Sequence, residues 1–565
     1  MRARIIGTAA LAAGLFGLAA CGGGGGSGGG GSSSGTGGSG GNTLGTIDVT
    51  LSPNNGGAVV TDDATQTSLT TTATVGESVS TPVVADLQYD KTIFSSVTAV
   101  AGTGGTYAVT MQTLSGLAVG EYKGTITFRL CEETACTDVY PGSTAVYSYD
   151  IVVNLQDWMT YQRTGGHAGY VPVTLDASKF TQAWQWTLPA GKTITAINSV
   201  ATGGGHVYIT NDDQGADAWV YALNEADGSL AWKTDVAALR NAGPPAYGSG
   251  WIYLNTTSNN GVTYQLNAAT GVTANQYSSG GSVNLPTFAP VVTATNLYLT
   301  SVGWDPKQII ALFNVGFVQS YGLNGNTTNS SQPATTGWGT ATAVATDGKD
   351  LYYYGVQNDE LPTGNLDHFD AASLTKKASI KDTFSPTLVT TPGLDPGYDY
   401  FGAPVIAGSG DVVAYSGPGN TDGFMYGSTE PPRSRQIVDY KRATDTLGWA
   451  TAQSYLTTPA VANGVLYAAR NGPASFDAID MATGKVSWSW TPPSSDTGFH
   501  RNTVVTNNLA FVSTDKAVYA VDLTTHQQVW SYPKGGSLAL SAAGVLYIAT
   551  GTSQSDGGLI AIKVK

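Results

Sequence analysis

The eleven residues Ala478-Ile479-Asp480-Met481-Ala482-Thr483-Gly484-Lys485-Val486-Ser487-Trp488 set out a frame that returns along most of the chain. A repeat of this kind limits the fold more than any other feature, because each copy must bury its apolar face against the next. The frame recurs at Ala222-Leu223-Asn224 with Gly228 and Trp232, and at Ala520-Val521-Asp522 with Trp530. Weaker copies keep parts of it: Asn267 with Gly271, Ala311 with Tyr321, Asp370 without its tryptophan, and a region ending at Trp449. Upstream of most copies lies a second apolar run, as in His206-Val207-Tyr208-Ile209, Trp251-Ile252-Tyr253-Leu254 and Val545-Leu546-Tyr547-Ile548. Short apolar runs separated by turn residues read as strands. Abundant glycine (73 residues) and few charged residues (12 %) fit many short strands better than long surface helices.

The ends of this repetitive region predict a closed ring. The last copy runs Leu559-Ile560-Ala561-Ile562-Lys563 and has no turn or outer strand after it. An orphan outer strand, Ala183-Trp184-Gln185-Trp186-Thr187, precedes the first copy, and Trp186 stands one repeat length before Trp232. The expectation is that residues 183–187 complete the last sheet and leave no long sheet edge open. Eight repeats can be counted, the fourth and fifth enlarged by loops, with seven as the alternative if one weak copy is a loop.

Residues 478–488 resemble the tryptophan-docking motif of the quinoprotein (PQQ-type) propeller repeat in full. The fold this implies is all-β: an eight-bladed β-propeller over 156–565, preceded by a small β-sandwich and a tether. Asp480 and Gly484 suit the tight turn between third and fourth strands, where Asp bonds local backbone and Gly tolerates positive φ. Asp522 repeats the Asp480 position. Trp186, Trp232, Trp488 and Trp530 are the expected blade-docking indoles, each burying a large aromatic area against a neighbouring sheet.

The N-terminus reads as an export signal. Met1-Arg2-Ala3-Arg4 is a short positive head, and the apolar run from Ile5 to Ala20 is too short for a comfortable membrane span. Leu18-Ala19-Ala20-Cys21 resembles the bacterial lipobox, which implies cleavage after residue 20 and acylation of Cys21. Several acyl chains on one residue make anchoring stable. Gly22 follows where the sorting rule for inner-membrane retention has aspartate, so the outer membrane is the expected location. Residues 21–45 are nearly all glycine and serine, a random-coil tether.

Residues 46–155 alternate apolar and polar positions in short runs, as in Thr125-Ile126-Thr127-Phe128-Arg129-Leu130. This is the pattern of a small sandwich. Leu117-Ala118-Val119-Gly120-Glu121-Tyr122 resembles the tyrosine-corner entry of immunoglobulin-like domains. Cys131 and Cys136 are expected to form a disulfide that staples facing strand ends in an oxidising compartment.

Function is less determined. A net charge of −14 with no basic run disfavours nucleic-acid binding. The quinoprotein repeat occurs in PQQ-dependent alcohol dehydrogenases and in non-catalytic propeller lipoproteins of the BamB kind. The enzymes of the family place a vicinal disulfide over the quinone and hold calcium beside a catalytic aspartate. Here the three cysteines are Cys21, Cys131 and Cys136, none adjacent and none in the propeller. No catalytic residue is assigned, and no metal or cofactor is expected. His167, His206, His368, His500 and His526 are far apart and lack metal spacing. His167 lies in Trp158…Arg163…His167-Ala168-Gly169, which resembles a propeller lead-in and is taken as structural. His526 stands where Gly484 stands in its own copy.

The first expectation is therefore a monomeric, non-enzymatic scaffold with a protein partner in the envelope. Its binding face would use the loops 322–339, 383–401 and 416–436, with Tyr398, Tyr400, Phe401, Phe424, Tyr426, Arg433 and Arg435. The alternatives are a PQQ- and calcium-dependent dehydrogenase and a glycan-binding surface lipoprotein.

Overall fold

A computed structural model describes residues 45–62, 66–76, 83–187, 199–210, 219–236, 242–256, 262–278, 289–293, 295–303, 315–322, 327–331, 343–357, 363–384, 403–408, 410–416, 435–496, 498–550 and 557–565. The chain divides into two compact units, Met1–Asn154 and Leu155–Lys565. No described helix is long and apolar enough to cross a membrane.

The first unit carries two four-stranded sheets. One is ordered Val49–Ser52, Ser68–Val75, Thr106–Thr113, Phe94–Ala101; the other Asn55–Thr61, Ala145–Asn154, Gly120–Cys131, Val84–Gln88. Alternation along the strands sends one set of side chains inward, as in Ser68–Val75, where every second residue is buried. Phe94, Val109 and Met111 from one sheet meet Phe128, Tyr147 and Ile151 from the other in a single core. The Tyr122 hydroxyl donates to the Ala118 carbonyl at 2.7 Å, fixing the entry to its strand. Cys131 and Cys136 are joined in a disulfide with Cα atoms 5.1 Å apart. The next ladder strand begins only at Ala145, so the bond closes the connecting turn rather than joining two strand ends.

The described residues of the second unit form eight four-stranded antiparallel sheets. Seven are simple meanders in chain order, from Ala201–Gly203, His206–Thr210, Trp219–Asn224 and Leu230–Asp235 onward. The eighth joins Ser537–Leu540, Val545–Thr550 and Gly558–Lys563 to the early strand Thr181–Thr187. Gly558 pairs with Thr187, Leu559 with Trp186, Ile560 with Gln185 and Ala561 with Trp184. The latch expected from the sequence is present. Middle strands such as Leu509–Thr514 and Val545–Thr550 are buried throughout, since both faces of these sheets are covered by neighbours. That is why they read as continuous apolar runs instead of alternating ones.

Indoles join consecutive sheets, and the eighth sheet supplies two, Trp186 as expected and Trp184 in the register of the repeat. The repeat pairs Ala478 with Trp488, Ala222 with Trp232 and Ala520 with Trp530. In the eighth sheet the same register pairs Ala561 with Trp184, not with Trp186. Trp184 donates through Nε1 to the Glu225 carbonyl of the first sheet at 2.9 Å, whereas Trp186 packs against Tyr221. Positions i and i+2 share one face of a strand, so repeat spacing alone could not separate two tryptophans two residues apart.

The other docks follow the same geometry. Trp232 donates to the Ala268 carbonyl of the second sheet at 2.9 Å, and Trp449 to the Met481 carbonyl of the sixth at 2.8 Å. Gly484 thus has two duties. Its φ of 68° closes the turn, with its amide donating to the Asp480 carbonyl at 2.8 Å. A Cβ there would also lie 2.5 Å from the Trp449 ring. At the next junction Trp488 instead stacks on His526, at 4.4 Å and 16°, and His526 adopts a φ of 59° to fill the glycine's place. Trp530 meets Phe180, just ahead of the latch strand, edge-on at 5.4 Å. Asp522 accepts from the Thr524 and Thr525 amides in its own turn.

Candidate functional site: the axial hub and the long-loop face

The short first strands of the eight sheets face one common axis, and the lead-in 156–171 occupies it. Its backbone steps from sheet to sheet. The Trp158 carbonyl accepts from the Thr202 amide of the first sheet, and the Met159 carbonyl from the Tyr247 amide of the second. Thr160 Oγ1 donates to the Pro290 carbonyl, ahead of the third sheet, at 2.8 Å. Gly165, Gly166 and Ala168 carbonyls accept from Thr346, Ile406 and Val461 of the fourth, fifth and sixth sheets. Gly169 and Val171 exchange bonds with Val505 of the seventh. Gln162 donates to the Pro459 and Thr503 carbonyls and accepts from Asn502 Nδ2, which also bonds the Leu538 carbonyl of the eighth. One short segment therefore bonds the sheets in turn around the ring.

Filling the axis with polar backbone requires that each polar group find a partner there. Gln162 and His167 are 0 % exposed. Arg163 is nearly enclosed and donates to the Tyr170 and Gln156 carbonyls, lacing the segment to itself. His167 sits between the Tyr161 carbonyl (Nδ1, 2.6 Å) and the Val344 carbonyl (Nε2, 2.7 Å). Burial pulls its pKa below the ordinary histidine value, against the pull of both carbonyls. Burial raises Asp157, opposed by the Thr202 hydroxyl, the Ala542 backbone and Arg163. Gln162, Arg163, His167 and Gly169 all hold positive φ, between 54° and 84°. Strain of this kind persists only where surroundings over-determine it. At Gly169 a Cβ would lie 2.6 Å from Gln162 Nε2 and 2.9 Å from the Thr503 carbonyl.

The two ends of the ring differ in their connections. First-to-second and third-to-fourth strand turns leave one end and are short throughout, as at 204–205, 463–464 and 481–484. Second-to-third strand links and those to the next sheet leave the opposite end, and they include 304–314, 332–344, 383–404 and 416–436. Connections of that length on a rigid scaffold are where binding surfaces concentrate. Tyr398, Tyr400, Phe401, Phe424, Tyr426 and Arg433 lie outside the described residues, as does Cys21. Arg435 is described, bonded through its backbone to Tyr455.

The remaining histidines stay apart. His206 meets the Gly204 carbonyl in a turn of the first sheet, His500 meets Asp515 in the seventh, and His368 lies between the fourth and fifth sheets. Three buried carboxylates of the second unit are held by hydrogen bonds: Glu225 by Tyr547, Asp382 by Tyr354 and Ser416, Asp477 by Tyr455 and Arg470. Among the described residues, the two carboxylate or sulfur groupings compact enough to share a cation lie in the first unit. They are Asp86 with Cys131 and Cys136, and Glu132 with Glu133 and Asp138. The first contains the disulfide, whose sulfurs have no thiolate to offer. The second unit has no cysteine at all, so the vicinal disulfide expected over a quinone has no counterpart there.

Sequence reasoning placed Trp449 at the end of a weak copy without naming it a docking indole, passed over Trp184, and read His368 only as one of five histidines lacking metal spacing. Column alignment would have found Trp449 and His368, since Trp449 stands ten residues after Asp439 and His368 ten before Ala378, as Ala478 stands before Trp488.

A family profile described as outer membrane protein assembly factor BamB matches residues 167–311, 391–537 and 433–565. Among solved structures, the quinohemoprotein alcohol dehydrogenase of Comamonas testosteroni is similar with a TM-score of 0.51 at 13 % identity, covering 72 % of this chain and 80 % of that one. BamB from Moraxella catarrhalis is similar with a TM-score of 0.44 at 14 % identity, covering 68 % and 98 %. No curated protein sequence matches the chain.

Proposed function

Since the chain belongs to the PQQ-repeat family described as outer membrane protein assembly factor BamB, we propose that it is a non-catalytic propeller scaffold of the cell envelope. In this reading it is anchored through Cys21 and binds a protein partner. The observation that carries the proposal is the filled axis. Residues 158–171 bond the sheets around them through their backbone and through Thr160, Gln162 and His167. What such a ring offers a partner is its surface, and the longest connections between strands leave the end that carries 383–404 and 416–436. The glycine-serine tether would let the folded part stand clear of the lipid.

Cross-linking in native membranes followed by affinity capture of the full chain tests the scaffold. A stoichiometric envelope protein, lost when 416–436 is replaced by a short Gly-Ser link, supports it. Stoichiometric uptake of added PQQ with calcium and reduction of an electron-accepting dye overturns it. The anchor has its own test: Cys21→Ala should abolish labelling by radioactive palmitate and release the protein from membranes.

A further inference from the structure

The junction between the fourth and fifth sheets departs from the docking rule. In the Trp488 column the fourth sheet has Ala378, and in the Ala478 column it has His368, the two being paired. In the Gly484 column the fifth sheet has Asp445, at a φ of 50°. Where a neighbouring junction has an indole over a bare glycine, this one has a histidine facing a carboxylate.

The charges interlock. His368 is 6 % exposed, with Nδ1 2.8 Å from Asp445 Oδ1 and Nε2 3.1 Å from Asp350 Oδ1. Its ring stacks on Tyr352 at 4.6 Å and 17°. Arg442, from the fifth-sheet turn, bridges to Asp347 and Asp350 of the fourth. Lys377 reaches Asp350, and lies 3.6 Å from Asp370. Asp350 is the shared acceptor, 9 % exposed at its side chain. Burial alone would raise its pKa, but bonds from Lys377, Arg442 and His368 outweigh that and hold it well below the ordinary carboxylate range. The contrast with the preceding junction is chemical too. There the glycine column holds Leu374, buried with Val291 and Tyr298.

We propose that the fourth-to-fifth junction is an electrostatic clasp, the one among the described indole and ionic junctions that loosens in high salt and lets these two sheets part. Apolar docks respond little to ionic strength, whereas an ion cluster whose cations remain partly solvated is screened. Arg442 and Lys377 retain 21 % and 34 % side-chain exposure, so salt has access to them. Releasing the clasp frees the outer strands Lys376–Asp382 and Thr446–Ala450 to move apart. The indole-docked junctions and the latch strand stay in place.

Hydrogen exchange read by mass spectrometry on the full chain, at 0.05 and 1 M KCl (both roughly chosen to bracket the screening range), tests this. Amides of Lys376–Asp382 and of the hairpin 441–446 should exchange on the order of fivefold faster in high salt. Those of Lys485–Trp490 and Gln528–Tyr532 should not change. The variant His368→Ala, Ala378→Trp, Asp445→Gly, Arg442→Met installs the indole dock and removes the bridges to Asp347 and Asp350, and its local salt response should vanish. If that variant fails to fold, Arg442→Met alone carries the test, with the same segment already fast at low salt. A salt response spread evenly over all sheets, no response at the junction, or a response that survives the loss of Arg442 overturns the proposal.

Discussion

The run of sheets from the sixth through the eighth to the first, and the run from the second to the fourth, solve one packing problem in two ways. In the first run Trp488, Trp530 and Trp184 each cover the join to the next sheet, and the Ala478 column is alanine in all four sheets, leaving room for the indole. In the second run the same column holds Gln265, Ser320 and His368. Gln265 accepts from Asn275, which stands in the tryptophan's place. Bulk and polarity on one strand are compensated on the facing turn: glycine under Trp184, Trp232 and Trp449, His526 under Trp488, and Leu374 or Asp445 where no tryptophan arrives. The repeat is therefore a rule about pairs of positions in neighbouring sheets, and single copies look degenerate when read alone.

The largest expected effect breaks an indole join. Trp449→Ala removes the ring that covers Gly484 and should destabilise the propeller by about 3–5 kcal/mol, read from denaturant unfolding at constant slope. Ala378→Trp without the compensating changes should also destabilise, because His368 occupies the space an alanine leaves elsewhere. Gly484→Val comes next. Both the positive φ and the Trp449 ring oppose a side chain, and a loss of about 2–3 kcal/mol should appear in the same measurement.

The acid response sharpens the contrast between the runs. The folded-state pKa of Asp350 is depressed, so its contribution to stability is present above its ordinary value of 3.8 and is lost as pH falls below it. Asp350→Asn should flatten stability against pH between about 5 and 3. Asp439 and Glu225 have pKa values raised by burial and contribute with the opposite sign. The smallest effect is at His526. His526→Gly relieves a positive φ but forfeits the stack on Trp488, and the net change should stay within about 1 kcal/mol.

The ring, the repeat frame and the latch were legible in the sequence because they rest on local periodicity and on glycine, aspartate and tryptophan at fixed offsets. Trp186 was chosen over Trp184 because strand period 2 makes the two equivalent until the partner Ala561 is known. The hub was visible as a lead-in segment, but not as a hub. Gly165 bonds Thr346 and Gly169 bonds Val505, and nothing within the lead-in indicates partners so distant in the chain. The ionic junction escaped for a related reason. His368, Asp445 and Arg442 come from two different sheets, and each alone reads as an ordinary turn or strand residue.

The latch tests the account most directly. Gln185 and Ile560 are paired across Thr181–Thr187 and Gly558–Lys563, so Gln185→Cys with Ile560→Cys in a Cys21→Ala background should form an intramolecular disulfide under mild oxidation. Peptide mass mapping should recover that bond in monomeric protein, and it should raise the resistance of the propeller to denaturant. Thiols that stay reduced in folded protein, or that join only between molecules, would contradict the closed ring and the scaffold reading built on it.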